Sequence, residues 1–180
     1  MTQLGFHIDM GKCIGCKTCQ IACKDKNDLH IGALFRRVYD LESGKFPKPR
    51  LSHISLGCNH CAQPNCVRNC PTGAMYKRAE DGLVLHDNAK CIGCRLCVWS
   101  CPYGAPQYIE AEGKVGKCTF CDDLLAKGEN PACVDACIMR AIDYGDMAEL
   151  RRKYGDTPSA QGMPDPNITH PSLTITLKKK

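Results

Sequence analysis

Sixteen cysteines stand in this chain of 180 residues, and all of them fall into four groups of four. Group I is Cys13, Cys16, Cys19 and Cys23, and group II is Cys58, Cys61, Cys66 and Cys70. Group III is Cys91, Cys94, Cys97 and Cys101, and group IV is Cys118, Cys121, Cys133 and Cys137. Thiols gathered in this way serve disulfide bonds, zinc or iron-sulfur chemistry. The amino-terminal MTQLGFHIDMGKC lacks a basic segment followed by an apolar one, and Arg36-Arg37 lies too far in to be an export signal. Without secretion, a disulfide scaffold loses most of its support. Zinc needs two well-separated C-x2-C knuckles, and the third cysteine of groups I and III would be redundant for it. Iron-sulfur ligation uses all sixteen; a zinc-stapled interaction protein is the alternative from a different class.

Groups I and III both read C-x2-C-x2-C-x3-C, the spacing with which bacterial-type ferredoxins hold 4Fe-4S clusters. Three thiolates on one tight loop each take a different iron of one cubane, while the fourth, on the helix that follows, reaches a neighbouring cluster. Gly15 and Gly93 allow the backbone a close approach. Pro71 and Pro102, directly after Cys70 and Cys101, have no N–H to satisfy and turn the chain away.

The groups repeat in alternation. GKCIGCKTCQIAC matches AKCIGCRLCVWSC, and PNCVRNC matches PACVDAC, as expected of a duplicated two-cluster module. The simple pairing would be I with II and III with IV. The prolines favour another, because II and III share a final Cys-Pro that I and IV lack. Between II and III, GAMYKRAEDGLVLHDNAKC carries short alternating runs around Glu80-Asp81-Gly82, a hairpin signal. The nested pairing puts Cys58, Cys61, Cys66 and Cys101 on one cluster and Cys70, Cys91, Cys94 and Cys97 on a second. Cys13, Cys16, Cys19 and Cys137 then form a third set, and Cys23, Cys118, Cys121 and Cys133 a fourth.

The elements that must position these loops are short. Leu4–Asp9, Leu51–Leu56 and Gln107–Ile109 read as strands, and Glu112-Gly113 as a turn. Residues 146–154 read as a short helix, and the Gly- and Pro-rich stretch after Tyr154 as surface chain. LTITL near the end is strand-like, pairing with this chain or a partner's edge. The expected fold is α+β, with two ferredoxin-like two-cluster modules in tandem. Residues 1–57 with 102–155 make the outer module, 58–101 the inner one, and 156–180 a surface tail. At 6% aromatic content, apolar packing needs the supplement that bound clusters provide.

A net charge of +5 is mild, and apart from Lys178-Lys179-Lys180 the basic residues are scattered, so no nucleic-acid footprint emerges. No apolar run approaches the roughly 20 residues that cross a bilayer, so membrane attachment has to go through a partner. No acid-base or nucleophilic constellation and no phosphate-binding glycine pattern is present, and the chain is expected to catalyse nothing alone. Lys12, Lys17, Lys90 and Arg95 flank cysteines, where they either tune a cluster or remain solvated. Trp99 is expected to pack against its own helix surroundings, and His60 to lie behind the cysteines or at the surface.

GFHIDMGKCIGCKTCQIACKD, FRRVYD, CNHCAQPNCVRNCPTGAM, KCIGCRLCVWSCPYGAPQY and ELRRKYGD together resemble the iron-sulfur subunits of anaerobic dimethyl sulfoxide reductase-like complex molybdopterin oxidoreductases. The resemblance runs over nearly all of residues 5–155. It implies the same nested exchange, four 4Fe-4S clusters, a molybdopterin-containing catalytic subunit and a multi-span, quinol-oxidising membrane anchor. Related nitrate reductase subunits carry tryptophan at the third cysteine of group III and hold a 3Fe-4S cluster there; this chain keeps Cys97. Attachment is then peripheral, through partners, at the outer face of the membrane, with the cytoplasmic face as the alternative. A free-standing polyferredoxin is the rival of the same class.

Overall fold

In a computed structural model that describes residues 2–178, β1 (Leu4–Asp9) is the most enclosed strand, with Gly5, Phe6, His7 and Ile8 all buried. A strand covered on both faces cannot show the polar alternation of a surface strand. Its one titratable interior residue, His7, is satisfied by Thr174 Oγ1 at 2.9 Å and stacks on Tyr154 with ring centroids 3.6 Å apart.

The remaining elements, in chain order, are α1 (Thr18–Lys26), β2 (Arg37–Ser43), β3 (Arg50–Leu56), α2 (Asn65–Arg68), β4 (Met75–Lys77) and β5 (Val84–His86). Then follow α3 (Leu96–Ser100), β6 (Gln107–Ile109), β7 (Lys114–Gly116), α4 (Asp122–Leu125), α5 (Ala132–Asp135), β8 (Ile142–Asp146), α6 (Met147–Tyr154) and β9 (Leu173–Thr176). One three-stranded sheet, ordered β8-β1-β9, and three hairpins, β2-β3, β4-β5 and β6-β7, make up the sheet structure of the described residues. In the sheet β8 runs antiparallel to β1, with Tyr144 opposite Phe6, and β9 runs parallel, with Leu173 opposite Phe6.

The strands expected at Leu4–Asp9 and Gln107–Ile109 match β1 and β6, and the strand expected at Leu51–Leu56 is β3, which starts one residue earlier. The hairpin around Glu80-Asp81-Gly82 is β4-β5, its turn held by the Arg78–Asp81 ion pair at 2.6 Å. Helix α6 begins where Asp146 Oδ1 accepts from the Ala148 amide at 2.8 Å, a side-chain N-cap. Residues 156–180 are not a surface tail throughout: LTITL supplies β9, and Ser172 to Ile175 are buried against β1. The apolar residues Leu173 and Ile175 gain a core face, and Thr174 finds a partner in His7. Lys179 and Lys180 of the basic tail lie outside the described residues, while Lys178 Nζ donates to the Leu51 carbonyl at 3.0 Å.

The turn of β4-β5 docks on the start of β1. Gln3 Nε2 donates to the carbonyls of His60 and Gly82, and Lys77 Nζ to Gln3 Oε1, Cys61 O and Gly82 O at 2.7 to 2.9 Å. Polar contacts of this kind join the segment holding groups II and III to the central sheet.

Candidate iron-sulfur cluster sites

The loops of groups I and III repeat each other in backbone as well as in sequence. Gly15 and Gly93 have φ of +73° and +69°, and Lys17 and Arg95, just before α1 and α3, have +62° and +63°. These left-handed positions turn each loop so that the third cysteine, Cys19 or Cys97, enters a helix and is buried. A Cβ at Gly93 would stand 2.2 Å from the Gly113 carbonyl oxygen, and one at Gly15 2.6 Å from Nδ1 of His53. The close approach that glycine permits is therefore to this chain's own hairpins.

Groups II and IV use another local device. Pro64 and Pro131 stand at the N-caps of α2 and α5 in extended backbone, which starts each helix one residue before the third cysteine, Cys66 or Cys133. After Cys70 and Cys101 the chain turns as expected: Gly73 N bonds Cys70 O at 3.4 Å and Gly104 N bonds Cys101 O at 3.2 Å. Proline is well suited to the second position of such a turn and glycine to the fourth. Cys137 makes the same bond, Arg140 N to Cys137 O at 3.0 Å, with neither residue, and Arg140 takes φ +50°. Cys23 instead lies inside α1.

Which thiols the fold brings together follows from cavities and mutual fields. Cys13, Cys16, Cys19 and Cys137 line one cavity, and Cys70, Cys91, Cys94 and Cys97 line another. Burial raises the Cys13 thiol pKa, and Cys19, Cys137 and Cys16 push the same way. Burial pushes Cys97 up to about 11, with Cys70, Cys91 and Cys94 adding to it. Cys23 is raised steeply by burial, then by Cys118, Cys133 and Cys121. Burial takes Cys61 and Cys66 up to about 12, and Cys58 and Cys101 act on both.

The sets also adjoin one another. Cys133, pushed up to about 11 by burial, feels Cys19 as well as Cys118 and Cys121. The buried Cys118 feels Cys58, and Cys23, Cys58 and Cys118 share one apolar cluster. Cys66 and Cys97 share another with Met75, Val84 and Val115. Cys16 and Cys94, at opposite ends of this series, are the two exposed thiols.

None of the sixteen cysteines is in a disulfide. Zinc holds sulfurs at about 2.3 Å in a tetrahedron, hence roughly 4 Å from one another. Among the described residues no three Cys, His, Asp or Glu side chains converge closely enough to hold a single ion. A cubane presents its irons at separate corners and takes thiolates set wider apart. Backbone amides already aim at sulfur: Ala141 N to Cys137 Sγ at 3.2 Å, Phe120 N to Cys118 Sγ at 3.4 Å and Met75 N to Cys70 Sγ at 3.4 Å. Donor type, number and spacing fit iron-sulfur clusters. Buried thiols with raised pKa values must shed protons to ligate, so cluster binding compensates a cost the folded chain otherwise carries.

Three interior residues near the cysteines escaped the sequence reading. Arg36 and Ser55 are buried, with Ser55 Oγ 3.2 Å from Cys19 Sγ. Lys117 is buried too and donates to the Cys118 carbonyl at 2.7 Å and to that of Val84. Arg36 is half of an Arg-Arg pair and Lys117 one of many scattered lysines, so nothing in sequence marks them as interior. The flanking cations behave otherwise: Lys12 pairs with Asp9 at 3.7 Å, Lys90 with Asp87 at 3.2 Å, and Arg95 lies 3.6 Å over the Tyr108 ring. Trp99 is 76% exposed rather than packed, because α3 turns that face outward. His60 is fully buried, not at the surface; its Nδ1 accepts from the Val84 amide at 3.0 Å, and its ring meets the Phe120 edge at 5.2 Å.

Buried thiol sets on short helices and hairpins, adjoining in series through the interior, define an iron-sulfur electron-transfer protein of α+β build. Residues 50–147 match the family model of the 4Fe-4S dicluster domain. The chain is 45% identical to the iron-sulfur subunit of anaerobic dimethyl sulfoxide reductase of Escherichia coli K12, over 97% of this chain and 88% of that one. It is 34% identical to the iron-sulfur subunit of the arsenate respiratory reductase of Shewanella sp. ANA-3, over 84% of this chain and 85% of the relative. The formate dehydrogenase iron-sulfur subunit of Wolinella succinogenes is 36% identical, over 80% of this chain and 82% of its own. The chain belongs to the family of dimethyl sulfoxide reductase iron-sulfur subunits, and within an oxidoreductase complex it is an electron-transfer subunit and not the catalytic one.

Proposed function

We propose that the chain holds four 4Fe-4S clusters in two nested ferredoxin-like modules and relays single electrons between a quinol-oxidising membrane anchor and a molybdopterin catalytic subunit. The ligand sets are Cys13, Cys16, Cys19 with Cys137; Cys23, Cys118, Cys121 with Cys133; Cys58, Cys61, Cys66 with Cys101; and Cys70, Cys91, Cys94 with Cys97. One observation carries the reading: each thiol whose electrostatic neighbours resolve is coupled first to members of its own set, or to the one set beside it. The clusters supply reversible one-electron chemistry when bound. The chain's residues space the sets in series, exclude water from the inner two and leave Cys16 and Cys94 near the surface at the two ends.

Beside those ends stand exposed apolar side chains: Ile14, Ile21 and Ile138 near Cys16, and Ile92, Leu96 and Trp99 near Cys94. Two separate apolar surfaces at the ends of one series suit a subunit placed between two partners better than a free-standing polyferredoxin. No helix among the described residues is long and apolar enough to cross a membrane, which suits peripheral attachment through partners, at the outer face.

Anaerobic purification followed by iron and acid-labile sulfide analysis tests the cluster count. About sixteen iron atoms per chain are expected; stoichiometric zinc without sulfide would sink the reading. Co-purification of a molybdopterin subunit and a multi-span membrane protein tests the place in the complex, and a chain isolated from native membranes without either would count against it. Protease accessibility in intact and inverted vesicles decides the face.

A further inference from the structure

Arg36 is the bulkiest of the fully buried side chains, at 2% exposure. Its guanidinium carbon lies 4.6 Å above the Phe6 ring, and Nη1 donates to the carbonyl and hydroxyl oxygens of Ser55, each at 3.3 Å. Nη2 is buried with no hydrogen-bond partner among the described residues. Among those residues no carboxylate pairs with the guanidinium. A buried charge left uncompensated costs several kcal/mol, so the compensation must come from something else. What surrounds Arg36 is sulfur. Burial alone would lower its pKa, yet Cys133, Cys118, Cys19 and Cys23 hold it above the ordinary value. One of these belongs to the set of Cys13, Cys16, Cys19 and Cys137, and three to the set of Cys23, Cys118, Cys121 and Cys133.

We propose that Arg36, directly and through Ser55 to Cys19, raises the reduction potentials of the two clusters held by those eight cysteines. Reduction adds one negative charge to a cluster, and a fixed cation in a low-dielectric interior favours the more negative state. Guanidinium is the fitting group, because it stays protonated even when buried. Ser55 carries the influence outward, with one oxygen 3.3 Å from Nη1 and 3.2 Å from the Cys19 sulfur. Arg36 is not among the leading influences on Cys61, Cys66 or Cys97, so the two remaining clusters serve as an internal control. This inference rests on the four-cluster reading, which iron analysis tests separately.

The test is a redox titration followed by electron paramagnetic resonance, on the complex purified anaerobically, with signals assigned through Cys16→Ser and Cys121→Ser. Arg36→Gln is expected to lower the one-electron reduction constants of the two assigned clusters at least tenfold, about 59 mV each, and to leave the other two unmoved. Arg36→Lys keeps the charge and should restore most of that loss. Four unmoved midpoints at full iron content overturn the inference, as does Arg36→Lys falling as far as Arg36→Gln. If Arg36→Gln does not retain its iron, Ser55→Ala decides. It should lower only the cluster of Cys19, and an unmoved midpoint there overturns the inference. Fewer than four clusters in the parent protein would instead overturn the four-cluster reading.

Discussion

Phe6 of β1 stacks on Phe120, their ring centroids 4.1 Å apart and their planes 25° from parallel. Phe120 is fully buried, and its backbone amide bonds the sulfur of Cys118 at 3.4 Å. Core packing and sulfur positioning are thus done by one residue.

Phe120→Ala removes the ring that Phe6, His60 and Tyr144 all meet. Large-to-small changes at such sites cost about 3–5 kcal/mol, or roughly 10 °C in a domain of this size. The expected outcome is a thermal midpoint lowered by about that much, together with iron lost from the group IV site. A midpoint within about 2 °C of the parent would show that the stack adds little.

Glycines separate strain from steric closure. Gly93 and Gly128 both take positive φ, +69° and +75°, but a Cβ meets the Gly113 carbonyl at 2.2 Å in the first case and nothing within 4 Å in the second. Gly128→Ala should cost about 1–2 kcal/mol for the left-handed backbone and keep full iron. Gly93→Ala should displace the group III loop and lose about four iron atoms per chain. Equal iron content in the two variants would contradict this.

What is local was legible in the sequence. The cysteine groups, β1, β6, the β4-β5 hairpin and the cap at Asp146 all rest on spacing, turn residues or propensity within a few positions. Interactions between distant segments were not readable. LTITL reads as a strand, but its central place depends on a parallel partner some 170 residues away, where Thr174 meets His7. β8, with the sequence Ile-Asp-Tyr-Gly-Asp, is too polar to announce a core strand and is recruited by pairing with β1. Arg36 looks like surface charge until thiols from two groups surround it. The Cys-Pro signal marks the turns after Cys70 and Cys101, yet Cys137 builds the same turn through a left-handed Arg140, so the absence of proline does not mean the absence of the turn.

His7 gives stability a pH dependence of definite sign. Burial lowers its pKa below the usual 6.5, partly opposed by Asp9 and Asp143. Between about pH 6.5 and the lower folded value, the unfolded chain binds a proton that the folded chain does not, so stability falls as pH drops through that window and levels off below it. His60 and His86 are lowered as well and act in the same direction. His7→Gln should therefore lose less stability than the parent between about pH 7.5 and 5.5, measured as anaerobic thermal midpoints. An identical pH dependence in the two proteins would remove His7 from the account.

Cys97 decides the character of one end of the series. It is buried at the start of α3, its thiol pushed up to about 11 by burial and by Cys70, Cys91 and Cys94, and it lines the cavity those three share. Serine offers a weaker ligand in a pocket shaped for sulfur, so Cys97→Ser should leave one corner of that cluster poorly held. The expected result is the loss of one reduced 4Fe-4S signal, or its replacement by an oxidised 3Fe-4S signal, with about one to four iron atoms fewer per chain. The other three signals should stay in place, because Cys97 meets the neighbouring set through an apolar contact with Cys66 and not as a shared ligand. An unchanged spectrum at full iron content would mean that the fourth set is held by other residues, and the nested pairing of groups II and III would fall with it.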